Sequence, residues 1–67
     1  MSKEVGAVIM DGVLYLGRHG YPDFTTEFRD ALHIRSVGTA ENMLKDLRQD
    51  HEDAQFLTIH PIHLWYR

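Results

Sequence analysis

The chain has no cysteine, so neither a disulfide framework nor a thiolate metal site is open to it. A secreted mini-protein of this length normally needs such staples, and their absence favours an intracellular setting. Positive charge is also scarce. Seven Lys and Arg face ten Asp and Glu, giving a net charge of −3. Binding to duplex nucleic acid is driven by phosphate neutralisation and calls for a basic surface, so direct nucleic-acid binding is not expected. No apolar run approaches the roughly 20 residues that cross a bilayer, and the start, Met1-Ser2-Lys3-Glu4, is unlike a signal peptide. The expectation is a cytoplasmic protein that does not engage membranes. There is no internal repeat, low-complexity tract or linker, and 67 residues leave room for one hydrophobic core. Residues 1–67 therefore read as a single domain.

What is present matches an ordinary globular domain, with 43% hydrophobic and 25% charged residues. Val5–Met10 and Val13–Arg18 are rich in β-branched and aromatic side chains, and Asp11-Gly12 between them predicts a two-residue type I′ hairpin. The second strand carries apolar groups on both faces, Val13 and Tyr15 on one and Leu14 and Leu16 on the other, which suits a central strand. Gly20 and Pro22 mark Arg18–Asp23 as a loop, with Asp23 placed to cap a short helix. Phe24, Phe28, Ala31 and Leu32 form that helix's apolar stripe. His33-Ile34-Arg35 reads as a brief extended segment.

Ser36 is a good N-cap for a second helix reaching about Gln49. Val37, Ala40, Leu44 and Leu47 recur on one face with Met43 beside them, and Glu41 and Lys45 form an i,i+4 pair. The acidic run Asp50-His51-Glu52-Asp53 should end it, because negative charge opposes the dipole at a helix C-terminus. Gln55–His60 is β-prone, and Pro61 places it at a sheet edge or divides it from a second short strand over Ile62–Tyr66. The fold expected is α+β: an N-terminal hairpin, a short helix, a short strand, the main helix and a C-terminal strand, with the helices on one face of a small antiparallel sheet. Phe24, Phe28 and Phe56 are assigned to its core.

Three groups of residues invite a functional reading. Leu14-Tyr15-Leu16-Gly17-Arg18-His19-Gly20 looks like the strand and Arg-His-Gly signature of the histidine phosphatase family. That resemblance implies a phosphoryl-accepting His19 with Arg18 clamping the phosphate. It covers seven residues, is followed by Tyr21 and Pro22 where that family usually has polar residues, and leaves too little chain to build the pocket; a solvated turn is the simpler account. The five histidines, His60 and His63 above all, have no spacing that gathers a metal site, and no metal or cofactor is expected. Glu41, Asp46, Asp50, Glu52 and Asp53 are the most concentrated charge in the chain, with only Lys45 and Arg48 among them. Such a run either keeps a surface wet or meets a basic groove, where spaced carboxylates can stand in for phosphates. Trp65 and Tyr66 either cover the domain's own core or anchor an interface.

Leu14-Tyr15-Leu16-Gly17, Asp23-Phe24-Thr25, Ala31, Ser36, Ala40-Glu41 and Leu44 together resemble small phage- and prophage-encoded α+β proteins, over roughly residues 13 to 47. Some of these inhibit host defence nucleases, anti-CRISPR proteins among them. The resemblance implies a non-enzymatic inhibitor or binding module acting in the host cytoplasm. Its partner would be a host protein with a basic surface, such as a CRISPR nuclease, met by Glu41, Asp46, Asp50, Glu52 and Asp53 with Trp65 and Tyr66. The alternative is a structural homo-oligomer, a homodimer for example, paired through the C-terminal edge strand.

Overall fold

The computed structural model describes residues 2–65. Strand β1 (Ser2–Met10) is followed by β2 (Tyr15–Leu16), β3 (Phe24–Thr25), helix α1 (Val37–Asp50) and β4 (Thr58–Trp65). The four strands form one antiparallel sheet in the order β3-β2-β1-β4, and α1 packs against it. This is the expected small α+β fold, with β2 inside the sheet. Among the described residues no helix is long and apolar enough to cross a membrane.

The hairpin falls where Asp11-Gly12 predicts it, but its turn is different. Met10 pairs with Tyr15, so four residues, not two, make the loop. A type I′ turn needs positive φ at both central positions, and only Gly12 adopts it, at 106°. Asp11 works through its side chain instead, its carboxylate accepting the Val13 and Leu14 N–H groups at 3.0 and 2.7 Å. Local acceptor chemistry of this kind competes well with backbone-only turns.

The helix expected after Asp23 does not form. Phe24 and Thr25 pair with Leu16 and Tyr15 as an edge strand, and a single 3₁₀ turn over Phe28–Asp30 follows. Two adjacent threonines weaken helix propensity, and the Thr25 hydroxyl accepts the Glu27 N–H at 3.1 Å, turning the chain away from a helical path. Asp23 caps nothing; its carbonyl accepts the Gly17 N–H at 2.7 Å. Beyond the turn, Ile34 exchanges two 2.8 Å backbone bonds with Ala7, filling the edge of β1 that the short β2 leaves open. The extended reading of His33–Arg35 thus reduces to one bridge at Ile34.

Helix α1 matches its expected position. The Ser36 hydroxyl accepts the Thr39 N–H at 3.1 Å, and the helix ends at Asp50. Ala40 and Leu44 are buried, joining Ala7, Ile9, Leu16, Ile34, Ala54 and Leu57 in one core, with Val37, Met43 and Leu47 half-buried around it. Glu41 and Lys45 do not close an ion pair: among the described residues the sole one joins Arg18 to Asp30 at 3.3 Å.

A second 3₁₀ turn, Glu52–Phe56, leads into β4. It occupies part of the segment expected to be strand, so the strand begins at Thr58. From there β4 runs unbroken through Pro61. The reason lies in the ladder. Ala7, opposite Pro61, directs both backbone groups toward Ile34, so this is a non-hydrogen-bonded pair, and the proline nitrogen faces the open edge, where no donor is required. The core assignment of two phenylalanines also needs correction. Phe24 is half-buried, but Phe28 and Phe56 are exposed. Phe28 rests on the Tyr15 and His33 rings, and Leu57 takes the buried place next to Phe56.

Candidate functional site

Four of the five acidic residues sit at the end of α1 and on the turn after it; Glu41, nine residues before Asp50, lies on the opposite side of the helix, apart from the group in which it was expected. Glu41, Asp46, Asp50, Glu52 and Asp53 are all exposed, and none has an ion-pair partner among the described residues. Arg48, the nearest cation in sequence to Asp50, is spent elsewhere: its guanidinium donates to the Leu57 carbonyl at 2.9 Å, while the Gln55 amide donates to the Arg48 carbonyl at 3.2 Å. These two bonds hold the 3₁₀ turn against the end of the helix. They fix Glu52 and Asp53 next to Asp50.

Asp46 and Asp50 stand one helical turn apart, as do Met43 and Leu47. These four side chains form the helix wall of a cleft of about 250 Å³. Leu16, Tyr21 and Leu32 line its other side. Tyr21 is fixed by aromatic contacts, edge-on to Phe24 with ring centres 5.9 Å apart and tilted over His51 at 4.7 Å. Its phenol is pushed above its ordinary value of 10.0, first by hydrogen bonding to the Asp53 carboxylate, then by partial desolvation and that carboxylate's charge. Asp53 therefore belongs to the same corner as Tyr21. The result is an apolar floor bounded by carboxylates, a form suited to a cation with an apolar stem.

Sequence reasoning found the carboxylates but missed the cleft. Tyr21 lies in the Arg18–Asp23 loop, where a large aromatic between Gly20 and Pro22 is itself a signal that the loop packs on something. Leu47 belongs to the expected apolar stripe and Met43 lies beside it; both are half-buried at the margin of the core. Trp65 lies in β4 opposite Ser2, its side chain outside the described residues, and Tyr66 falls outside them altogether.

The Arg-His-Gly segment borders a second depression, with Arg18, His19, Asp23 and Asp30 around it. Arg18 is engaged: its guanidinium donates to the Asp30 carboxylate at 3.3 Å and to the Arg29 carbonyl at 3.2 Å. A phosphate entering there would meet two carboxylates, Asp23 and Asp30, and an arginine already bound to one of them. Among the described residues, no three His, Asp or Glu side chains gather as metal ligands. The His60 ring bonds to the Thr58 hydroxyl at 2.9 Å, and His63 lies opposite Glu4. Set against protein-family profiles, curated proteins and solved structures, the chain matches none.

Proposed function

We propose that this protein is a small binding module, without catalysis of its own, that presents its acidic face to a basic groove on a partner protein. One observation carries the reading: Asp46, Asp50, Glu52 and Asp53, exposed at the end of α1 and on the turn after it, are neutralised by no cation of the described chain through an ion pair. Left uncompensated, such a surface steers association with an oppositely charged partner and rejects like-charged ones. The partner class that fits is a protein whose basic groove binds nucleic acid, with the carboxylates occupying phosphate positions. The finer form of the proposal is an inhibitor of a host defence nuclease, acting in the cytoplasm of a phage-infected cell.

The test is charge reversal. Asp46→Lys, Asp50→Lys and Asp53→Lys together should leave the circular dichroism spectrum and cooperative unfolding intact, while abolishing salt-sensitive capture of a basic protein from the source cell's lysate. Capture that survives the triple reversal in moderate salt removes the proposal. A second reading, a homo-oligomer paired through β4, draws on the strand's position at the sheet edge, with no partner on its outer side among the described residues. Light scattering across a dilution series separates the two, since a stable dimer supports pairing and a monomer at all concentrations does not.

A further inference from the structure

We infer that the cleft between α1 and Tyr21 is a receptor for a single arginine side chain of the partner; the inference rests on the acidic-face reading and specifies how that face engages. Neither the apolar floor nor the carboxylates alone would select an occupant. Together they do. At about 250 Å³ the cleft falls below the roughly 300–1,000 Å³ typical of small-molecule sites and matches one long side chain. A neutral apolar side chain would desolvate Asp46 and Asp50 without offering them a counter-charge, which is costly. An anion is repelled outright. A cation on a methylene stem satisfies both parts of the wall, its stem on Leu16, Leu32, Met43 and Leu47 and its head between the carboxylates.

Arginine fits better than lysine for two reasons. Its planar, weakly hydrated guanidinium can bond two carboxylates through separate N–H groups, and the Asp46 and Asp50 pair offers them one helical turn apart. It also stacks on aromatic rings, and Tyr21 is fixed by its contacts with Phe24 and His51. The ammonium of lysine is more tightly hydrated and would lose more on entering an apolar cleft.

The experiment is a methyl-resolved NMR titration of the full chain, at low salt, with a short blocked peptide carrying one central arginine between glycines, and with its lysine counterpart. Saturating shifts of the Leu16, Leu32, Met43 and Leu47 methyls by the arginine peptide are expected. Its affinity should fall about tenfold in Asp50→Asn, the loss of one charge-assisted bond, and the lysine peptide should bind more weakly. Shifts confined to amides around Glu52 and Asp53, with the methyls unmoved, would overturn the cleft assignment and leave the acidic-face reading standing. An equal response to lysine would overturn the choice of arginine. No saturable shift anywhere would overturn the inference, while the charge-reversal capture experiment would still judge the broader reading.

Discussion

Asp50 should destabilise the fold, and removing its charge should make the protein more stable while weakening its binding. Two local effects set the magnitude. Asp50 is the last residue of α1, where a carboxylate opposes the helix dipole at a cost of about 0.3–1 kcal/mol. It also faces Asp46 across one turn, a like-charge i,i+4 pair costing about 0.2–0.5 kcal/mol. Among the described residues no ion pair offsets either cost. Asp50→Asn removes both, so the expected gain is about 0.5–1.5 kcal/mol. For a domain of this length, total stability is roughly 3–10 kcal/mol, so the gain is readily measured. At about 4–8 °C per kcal/mol, the melting temperature should rise by roughly 2–12 °C. Urea unfolding at neutral pH is the assay. The midpoint should rise without a change in slope, and the gain should shrink in high salt as the charges are screened. Glu41→Gln, nearer the other end of the same helix, is the control and should change stability by less than about 0.5 kcal/mol. If Asp50→Asn leaves stability unchanged or lowers it at low salt, the Asp50 carboxylate has a favourable partner, and the acidic face is not the uncompensated surface on which the functional proposal depends.

Four further outcomes follow from the geometry. A Cβ on Gly6 would lie 2.5 Å from the Ile34 carbonyl oxygen, beside the bridge to Ala7, so Gly6→Ala should cost about 1–3 kcal/mol through overpacking in the same unfolding assay. Gly38→Ala, on the exposed first turn of α1 with nothing closer than 4.0 Å, should instead stabilise by about 0.5–1 kcal/mol. The Asp11 carboxyl is held below its ordinary 3.8, first by the Leu14 N–H and then by the Val13 N–H. Its contribution is therefore present at neutral pH and lost as pH falls through the lowered value, so wild type and Asp11→Ala should differ at neutral pH and converge in strong acid. For Tyr21 the sign is opposite. A raised folded-state value stabilises below about pH 10 and is lost as pH rises through that higher value, and Asp53→Asn should bring the Tyr21 ring titration, followed by NMR, back toward 10.0.

The parts of the fold that were legible are those set by local chemistry. Ser36 and the spacing of Val37, Ala40, Leu44 and Leu47 determine α1 almost to the residue, because cap and stripe agree. The hairpin's place was legible from Asp11-Gly12, but its loop length was not, since an aspartate can serve a turn through φ or through its carboxylate and the sequence is the same in both cases. Phe24, Phe28, Ala31 and Leu32 have helical spacing for a different reason: one end of that segment pairs with β2 and the other bridges Gly17, two tertiary contacts that override the pattern. Pro61 looks like a break only until the pairing of Ala7 with Ile34 is known. The cleft was illegible for a similar reason. Asp46 and Asp50 could be placed on one helix face, but the opposite wall comes from Leu16, Tyr21 and Leu32, and nothing in their spacing brings them to α1.

A chain with one core must divide each element between holding the fold and meeting a partner, and α1 shows how the division is made. Ala40 and Leu44 are buried against the sheet, and Leu44→Ala would cost about 2–5 kcal/mol, a large share of the total. Met43 and Leu47, beside them on the helix, are only half-buried, and Asp46 and Asp50 are exposed. The transition from fold to surface therefore runs around the helix rather than along the chain. Two consequences follow. Charge at positions 46 and 50 can change without loss of stability, so the face can be tuned to a partner independently of the core. Conversely, the half-buried Met43 and Leu47 couple the two, because a side chain seated in the cleft would complete their burial and add to the stability of α1 itself. A partner that binds there should raise the unfolding midpoint with its concentration, as any ligand of the native state must, whereas one that touches only the outer carboxylates would leave the packing of Met43 and Leu47 as it is.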